Sequence, residues 1–123
     1  MRFFVYGTLK KGKHNNYIMG DANLLGTAET APVYSLVGGS GFPIIERGGE
    51  TSVKGEVFET EDEEIISRIF RLEGCSREQH NPQSWYDYDK IETPFGEAVI
   101  FVMDKGKSGR RQDFLLKSGV WID

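Results

Sequence analysis

The stretch Arg2-Phe3-Phe4-Val5-Tyr6-Gly7-Thr8-Leu9-Lys10-Lys11-Gly12-Lys13 contains the sharpest change of character in the chain. Its first half is an apolar run of β-forming residues, and its second half is a polar, basic loop with two glycines. Such a change is typical of a buried strand that delivers a loop to the rim of a sheet or barrel. Because glycine has no Cβ, its main-chain N–H groups can approach a ligand closely. The stretch therefore predicts a backbone loop that holds an anionic group such as a carboxylate or phosphate.

Residues 7–13 also satisfy the nucleotide phosphate-binding pattern G-x-x-x-x-G-K. The next residue is His14, where that pattern requires a Ser or Thr to bind Mg²⁺. A loop of that class opens an apolar helix, whereas residues 14–16 are polar and only three apolar residues follow before Gly20. These departures weigh against a nucleotide site. An ordinary strand-to-loop corner stays open as an alternative interpretation.

Length and composition limit the class of protein. The chain has 123 residues, enough for one domain and too few for two ordinary ones, with 38% hydrophobic and 12% aromatic residues to build a core. The net charge of −4 argues against a nucleic acid partner. The sequence has no apolar run of membrane-spanning length, and residues 1–3 are expected to begin a strand and not a signal peptide. With Cys75 as the single cysteine, an internal disulfide is excluded and a cytoplasmic location is predicted.

Short strands separated by glycine turns account for most of the chain. The pattern predicts strands at residues 24–31, 33–37 and 53–58, with further apolar residues at 42–46, and a closing hairpin of residues 86–93 and 97–103. Residues 99–102 are apolar on both faces, so the last strand is expected to be central in a sheet. Gly55 lies within a predicted strand, which suggests that another backbone or a ligand approaches closely there.

One segment has the features of an amphipathic helix. Thr60 and Glu63 form a capping box at its start, acidic residues fill the first turn, and Gly74 is placed to end it. At about 100° per residue the apolar side chains fall on one face. These side chains are Ile65, Ile66, Ile69, Phe70 and Leu72.

Glu73 falls within that apolar stripe. It lies at i+4 from Ile69 and at i+7 from Ile66, so its side chain points inward if the helix continues through it. A carboxylate directed at a core is costly to ionise, and its pKa should be raised. Such a group is a candidate general base or acid. Two alternatives stay open: the helix ends one residue early and Glu73 turns to water, or the carboxylate pairs with a buried arginine.

These segments together resemble the γ-glutamylcyclotransferase-like family, and the basic pair after Leu9 brings the chain nearest to its γ-glutamylamine cyclotransferase and AIG2-like branch. The resemblance covers most of residues 3–103, with residues 6–12 as its most specific motif. Leu72-Glu73-Gly74 matches the motif around the catalytic glutamate, and Phe42-Pro43 and residues 53–57 are further landmarks. Two departures concern the substrate. Phe70 stands where the family often has an acidic residue, and Tyr86-Asp87-Tyr88 replaces Tyr-x-Arg after an insert of residues 76–84.

The resemblance implies a fold and a reaction. The fold is α+β, a small mixed β-barrel with flanking helices, formed as one domain by residues 1–123. The reaction is intramolecular aminolysis of a γ-glutamyl amine, which releases 5-oxoproline and an amine. Glu73 would be the catalytic acid and base, and the substrate would be bound by Tyr6, Gly7, Thr8, Leu9 and Tyr86. No cofactor and no metal is required.

Three further expectations accompany this interpretation. The insert of residues 76–84 is expected to form a lid over the leaving-group side of the site. A non-catalytic binding module of the same fold is one alternative function. Transfer or hydrolysis at another acyl amide is a second.

Overall fold

The computed structural model describes residues 1–39 and 41–121, and its elements follow the alternation of short strands and one helix that the sequence predicts. The strands are β1 (Arg2–Val5), β2 (Asn23–Glu29), β3 (Tyr34–Val37), β4 (Ile44–Arg47), β5 (Lys54–Glu59), β6 (Asp87–Thr93) and β7 (Gly96–Val102). The helix α1 spans Glu63–Leu72, and short 3-10 turns lie at Asn16–Met19 and Gln112–Phe114.

Strand β1 lies at the centre of the main sheet, whose strand order is β2-β5-β1-β7-β6. It pairs antiparallel with β5 and parallel with β7, where Phe3 is opposite Val99. The close approach predicted at Gly55 is confirmed, since a Cβ there would lie 2.4 Å from the carbonyl oxygen of Val5 in β1. Because a central strand is covered on both faces, an uninterrupted apolar run such as β1 suits this position.

The two faces of β1 belong to different parts of the core. Phe3 and Val5 pack on the side covered by α1, together with Ile69 and Phe101. Phe4 packs on the opposite side with residues of β3, β4 and β5. Successive side chains of a strand alternate between faces, so one short apolar strand contributes to both hydrophobic clusters.

The predicted α+β class is confirmed, but the predicted barrel is not. Within residues 1–39 and 41–121, the main sheet is open and β3 and β4 form a separate two-stranded sheet. An isolated parallel bridge between Glu46 and Met103 joins this hairpin to the segment that follows β7. The flanking helical structure of these residues consists of α1 and two short 3-10 turns.

Both ends of α1 are fixed by capping. The N-cap is Asp62, whose Oδ1 accepts from the N–H of Glu64 at 2.9 Å, so the prediction of Thr60 as N-cap is wrong by two residues. Thr60 instead accepts from the N–H of Asp62. The predicted stop at Gly74 is confirmed. Gly74 has φ +60°, the left-handed conformation that glycine adopts without strain, and the N–H of Cys75 donates to the carbonyl of Phe70 at 3.0 Å.

The segment after α1 forms a loop whose two ends lie side by side. The N–H of Ser76 donates to the Ser84 hydroxyl at 2.8 Å, and the N–H of Trp85 donates to the carbonyl of Gly74 at 2.9 Å. Residues 76–84 therefore form a loop whose two ends are held together.

Candidate active site

A cavity of about 180 Å³ opens where β1 ends and its loop begins. All six residues predicted for the site contact this cavity: Tyr6, Gly7, Thr8, Leu9, Glu73 and Tyr86. They come from three separate parts of the chain, namely the end of β1, the end of α1 and the residue before β6. The remaining lining residues are Phe4, Val5, His14, Asn15, Phe42, Pro43, Leu72, Trp85 and Phe101.

The loop after β1 has a defined backbone with unused donors. The Asn15 side chain donates to the Thr8 hydroxyl at 2.9 Å, and the N–H of Asn15 donates to the Thr8 carbonyl at 3.0 Å, which closes the loop on itself. Among the described residues, no acceptor is present for the main-chain N–H groups of Gly7, Thr8 and Leu9. Because a main-chain donor without a partner is costly, these groups are available to a ligand or to water.

Glycine is required at position 7 by close packing. A Cβ there would lie 3.1 Å from Cδ of Pro43 on the other wall of the cavity. The nucleotide interpretation of the loop is not supported, because the segment that follows is a four-residue 3-10 turn, Asn16–Met19, and not an α-helix. Lys10 and Lys11 do not line the cavity either.

Glu73 is the acidic residue of the cavity. The helix ends one residue before it, at Leu72, as one of the sequence alternatives proposed. Glu73 nevertheless keeps helical backbone angles (φ −80°, ψ −4°), and its N–H donates to the Ile69 carbonyl at 3.1 Å, so its side chain stays on the inner side. Among the described residues its carboxylate has no hydrogen-bonding or ion-pairing partner, which argues against the arginine alternative.

Removal from water governs the ionisation of Glu73. Its side chain is partly open to the cavity, but protein surrounds it elsewhere, and this desolvation raises the pKa to about 7. A carboxyl with such a pKa is present in both protonation states near neutral pH. It can therefore accept a proton and return it without a large energetic cost.

Two buried tyrosines stand beside this carboxyl group. The Tyr6 hydroxyl donates to the Phe101 carbonyl at 2.7 Å. Burial, and then the nearby charge of Glu73, raise the pKa of Tyr86, and the pKa of Tyr6 is raised by burial and by its neighbours Tyr86 and Glu73. Both phenols are thus neutral at ordinary pH, and they supply polar atoms to an otherwise apolar wall.

Sequence reasoning did not identify the aromatic side of the cavity. Phe42 was noted only as a landmark of the resemblance, and Trp85 was not singled out. Their rings meet edge to face at 6.0 Å, and Trp85 also packs against Tyr86 at 4.9 Å. The signal that could have indicated Trp85 is its position next to Tyr86, because both follow the insert directly.

The insert of residues 76–84 does not form the predicted lid, since none of its residues lines the cavity. It is fastened to the outer side of the sheet and helix instead. The Gln79 side chain donates to the Tyr88 carbonyl at 2.9 Å, and the Tyr88 hydroxyl donates to the Arg77 carbonyl at 2.6 Å. Tyr88, which stands in place of an arginine of the family motif, therefore anchors the insert.

A second group of ionisable residues lies around Arg47, at the end of β4. Its guanidinium contacts carboxylate oxygens of Asp87 at 2.8 Å, Asp89 at 2.7 Å and Asp104 at 2.7 Å. The Tyr34 hydroxyl donates to Asp89 at 2.7 Å. Although burial opposes it, hydrogen bonds from the N–H of His80 and from Arg47 keep the pKa of Asp87 below its usual value. This cluster, called the Arg47 cluster below, joins the β3–β4 hairpin to β6.

Other kinds of site find little support in the part of the chain that the structure describes. Burial raises the pKa of the Cys75 thiol to about 12, which keeps it protonated and a poor nucleophile. No group of three or more His, Cys, Asp or Glu side chains in residues 1–39 and 41–121 is arranged to hold a metal ion. No helix among these residues is long and apolar enough to cross a membrane.

Comparisons with known proteins agree on one family. Residues 3–123 match the model of the family described as gamma-glutamyl cyclotransferase, AIG2-like. A Vibrio cholerae protein with a provisional gamma-glutamylcyclotransferase name is 36% identical over 118 residues, covering 96% of this chain and 92% of its own length. The Escherichia coli K12 gamma-glutamylcyclotransferase family protein YtfP is 31% identical and is covered over 97% of its length by 100% of this chain. The crystal structure of an uncharacterized Pyrococcus horikoshii protein superposes with a TM-score of 0.74 at 28% identity, covering 98% of this chain and 88% of that one.

Proposed function

The chain belongs to the gamma-glutamyl cyclotransferase, AIG2-like family, and from this premise we propose that residues 1–123 form a single-domain enzyme that cyclises a γ-glutamyl amine. Its products are 5-oxoproline and the free amine. The observation that carries the proposal is the unpaired carboxyl group of Glu73, which has a pKa raised to about 7 and faces a cavity whose loop has unused N–H donors.

The reaction needs one proton acceptor and later one proton donor. Glu73 takes a proton from the substrate α-ammonium group, and the free α-amine attacks its own γ-carbonyl carbon. A carbon–nitrogen bond forms, and the γ-amide bond to the leaving nitrogen breaks as the protonated Glu73 gives its proton to that nitrogen. The regenerated carboxylate then takes the second proton from the attacking nitrogen, which becomes the lactam N–H, and passes it to the released amine or to water. Since attacker and target belong to one molecule, the protein has only to hold the substrate in a ring-like conformation.

The loop after β1 would bind the charged part of the substrate. The N–H groups of Gly7, Thr8 and Leu9 are suited to the α-carboxylate or to the oxyanion that develops on the γ-carbonyl. The tether from Asn15 to Thr8 holds this part of the loop in place before the substrate arrives. Tyr6 and Tyr86 would line the inner wall, where their hydroxyls are neutral and so add no charge beside Glu73.

The raised pKa of Glu73 suits this chemistry. A free α-amino group has a pKa of roughly 8, so a carboxylate with an ordinary pKa near 4 would be a weak acceptor for its proton. The desolvated Glu73, with a pKa of about 7, is much closer to the α-amine and makes the transfer easier in both directions.

The direct test incubates the protein with γ-glutamyl amides and measures 5-oxoproline and the released amine. The ε-linked γ-glutamyl-lysine isopeptide represents the amine class, and γ-glutamyl-alanine represents the α-amino acid class. We expect equal amounts of 5-oxoproline and amine, with the isopeptide turned over faster. The matched control is the same isopeptide acetylated on its glutamyl α-nitrogen, which cannot attack and should stay intact.

The alternatives give different products. Release of glutamate in place of 5-oxoproline would identify a hydrolase, and turnover of the acetylated control would exclude attack by the α-amine. Saturable binding of the isopeptide without any product would identify a binding module. Any of these results would contradict the proposed reaction.

A further inference from the structure

Two large aromatic side chains are exposed at the mouth of the cavity. Phe42 is 37% exposed and Trp85 is 50% exposed, although both line the cavity and their rings touch. Phe42 and Trp85 are called the aromatic rim below. Apolar surface left open beside a cavity commonly marks a place where the apolar part of a ligand is bound.

The aromatic rim is held rigidly on the side of Phe42. The Arg110 guanidinium donates to the carbonyls of Val37, Gly38 and Phe42, and it lies 4.7 Å from the centre of the Phe42 ring. Because the ring is already fixed, a ligand that packs on it does not have to pay for ordering it.

The loop that carries Arg110 is itself anchored by a buried carboxylate. Glu46 is 2% exposed, and its two oxygens accept from the N–H groups of Gly106 and Ser108, each at 3.2 Å. Glu46 therefore acts on the rim at a distance, by fixing the segment from which Arg110 reaches Phe42.

The distribution of polar groups determines which half of the substrate meets the rim. The glutamyl half carries a carboxylate and an amine, and the groups that suit them are the loop donors and Glu73. The rim offers mainly apolar ring faces and edges, with the indole N–H of Trp85 as its one side-chain polar group. We infer that the aromatic rim is the subsite of the leaving amine, and that it selects amines with a bulky apolar group next to the leaving nitrogen, such as the side chain of lysine in the isopeptide, with uncharged amines ranked above charged ones. This inference rests on the proposed function.

Charge beside the rim argues against a cationic leaving group. Arg110 covers Phe42, and Lys107 donates from Nζ to the carbonyl of Ser84 at 3.1 Å, one residue before Trp85. An ammonium group on the leaving amine would therefore approach two fixed cations. The aromatic rim differs in this respect from a cage that binds ammonium groups through its rings.

The test compares amides that share the γ-glutamyl half and differ in the amine: methylamine, pentylamine, benzylamine and 1,5-diaminopentane. For the wild-type protein we expect kcat/KM for the benzylamide to exceed that for the methylamide by about tenfold. We expect the pentylamide to exceed its 5-amino analogue by about threefold, since partly exposed charges interact weakly.

Variants then assign the preference to the rim. Trp85→Ala should bring the ratio of kcat/KM for the benzylamide to kcat/KM for the methylamide close to one, whereas Trp85→Phe should keep most of this preference. Tyr17→Ala is the matched control, because Tyr17 is 75% exposed and does not line the cavity, and it should leave the ratio as it is in the wild type.

The outcomes separate the subsite from the reaction. If every amide yields 5-oxoproline at the same rate, the reaction stands and the subsite is overturned. A preference for the 5-aminopentylamide, or a benzylamide preference that survives Trp85→Ala, overturns it as well. If no amide yields 5-oxoproline, the proposed function fails and the subsite falls with it.

Discussion

The carboxyl group of Glu73 and that of Asp87, in the Arg47 cluster, have pKa values that are shifted in opposite directions. In the cavity, a single carboxyl group is withdrawn from water with no partner among the described residues, and its pKa rises to about 7. Around Arg47, three carboxylates share one guanidinium, and the pKa of Asp87 falls below its usual value although burial opposes the fall. The two regions differ in burial, since the Asp104 side chain is 76% exposed. They also differ in that only the carboxylates around Arg47 have a charged partner among the described residues.

This difference separates a structural use of acidic residues from a chemical one. The Arg47 cluster ties β4 to β6 and to the segment after β7, and each of its three carboxylates contacts the same guanidinium. Glu73 gives up such a partner, which costs stability but leaves a group that can exchange protons near neutral pH. Substitution in the two regions should therefore have opposite effects on stability.

The largest expected effect is on turnover by Glu73→Gln. The amide keeps the shape of the side chain and removes the base, so the rate of 5-oxoproline formation should fall by about 100-fold or more. Glu78→Gln, the same change at an exposed position of the insert, is the control and should keep normal turnover. Near-normal turnover by Glu73→Gln would eliminate the proposed role.

Arg47→Met should have its main effect on stability. The Arg47 side chain is only 22% exposed, and loss of its guanidinium leaves three carboxylates facing one another, so the free energy of unfolding should fall by about 2 kcal/mol in chemical denaturation. Turnover per folded molecule should stay within about threefold of the wild type.

The control for this change is Arg111→Met. Arg111 pairs with Asp113 on the surface, where the two side chains are 75% and 57% exposed, and such pairs contribute little. A loss of stability as large in Arg111→Met as in Arg47→Met would contradict the structural role of the cluster.

The pH dependence should show the same contrast. Because the proposed base is the deprotonated form of Glu73, kcat/KM should rise with pH through an apparent pKa of about 7. The folded protein holds the Glu73 proton between the ordinary carboxyl pKa of 4.5 and about 7, whereas the unfolded chain has lost it. Stability therefore falls as pH rises through this window. At pH 8 the free energy of unfolding of the Glu73→Gln variant should be higher than that of the wild type by about 2 kcal/mol.

The contribution of Asp87 to stability changes with pH in the opposite direction. Its pKa is lowered in the folded protein, so its contribution is present above the ordinary value of 3.8 and is lost as the pH falls below it. Denaturation followed from pH 3 to pH 8 in the wild type and in Glu73→Gln would separate the two contributions. Parallel curves for the two proteins would refute the desolvated state of Glu73.

The smallest effects are expected at the basic pair of the loop. Lys10→Ala and Lys11→Ala should each change kcat/KM by less than about threefold, since neither residue lines the cavity and the proposed substrate-binding groups are main-chain donors. Gly7→Val, which adds a side chain against Pro43, should obstruct binding. If the lysine variants lost binding while Gly7→Val kept it, a basic phosphate site would be the better explanation.

The sequence was most informative where the signal is local. The helical spacing of apolar residues in α1 predicted that Glu73 points inward. The change from apolar strand to glycine loop predicted the main-chain donors of residues 7–9. The N-cap was misplaced because Thr60 and Asp62 are both good capping residues, and only the backbone conformation distinguishes them.

Long-range partners were beyond local patterns. Arg47 and Asp87 meet through the packing of β4 against the sheet, and no motif links the two positions. The lid was predicted from the position of the insert alone, whereas its direction is set by anchors such as the bond from Tyr88 to Arg77. The closure of the sheet into a barrel is a property of strand pairing, which residue patterns do not specify.

The hydrogen bonds that join its two ends make the loop of residues 76–84 a natural place for variation in length. Its ends are fixed by the bonds from Ser76 to Ser84 and from Trp85 to Gly74, so a change at the tip leaves the spacing between Glu73 and Trp85 as it is. Doubling the length of a flexible loop costs only about 0.6 kcal/mol. A peptide tag or a reporter domain could therefore be carried by an exposed part of this loop without rebuilding the cavity.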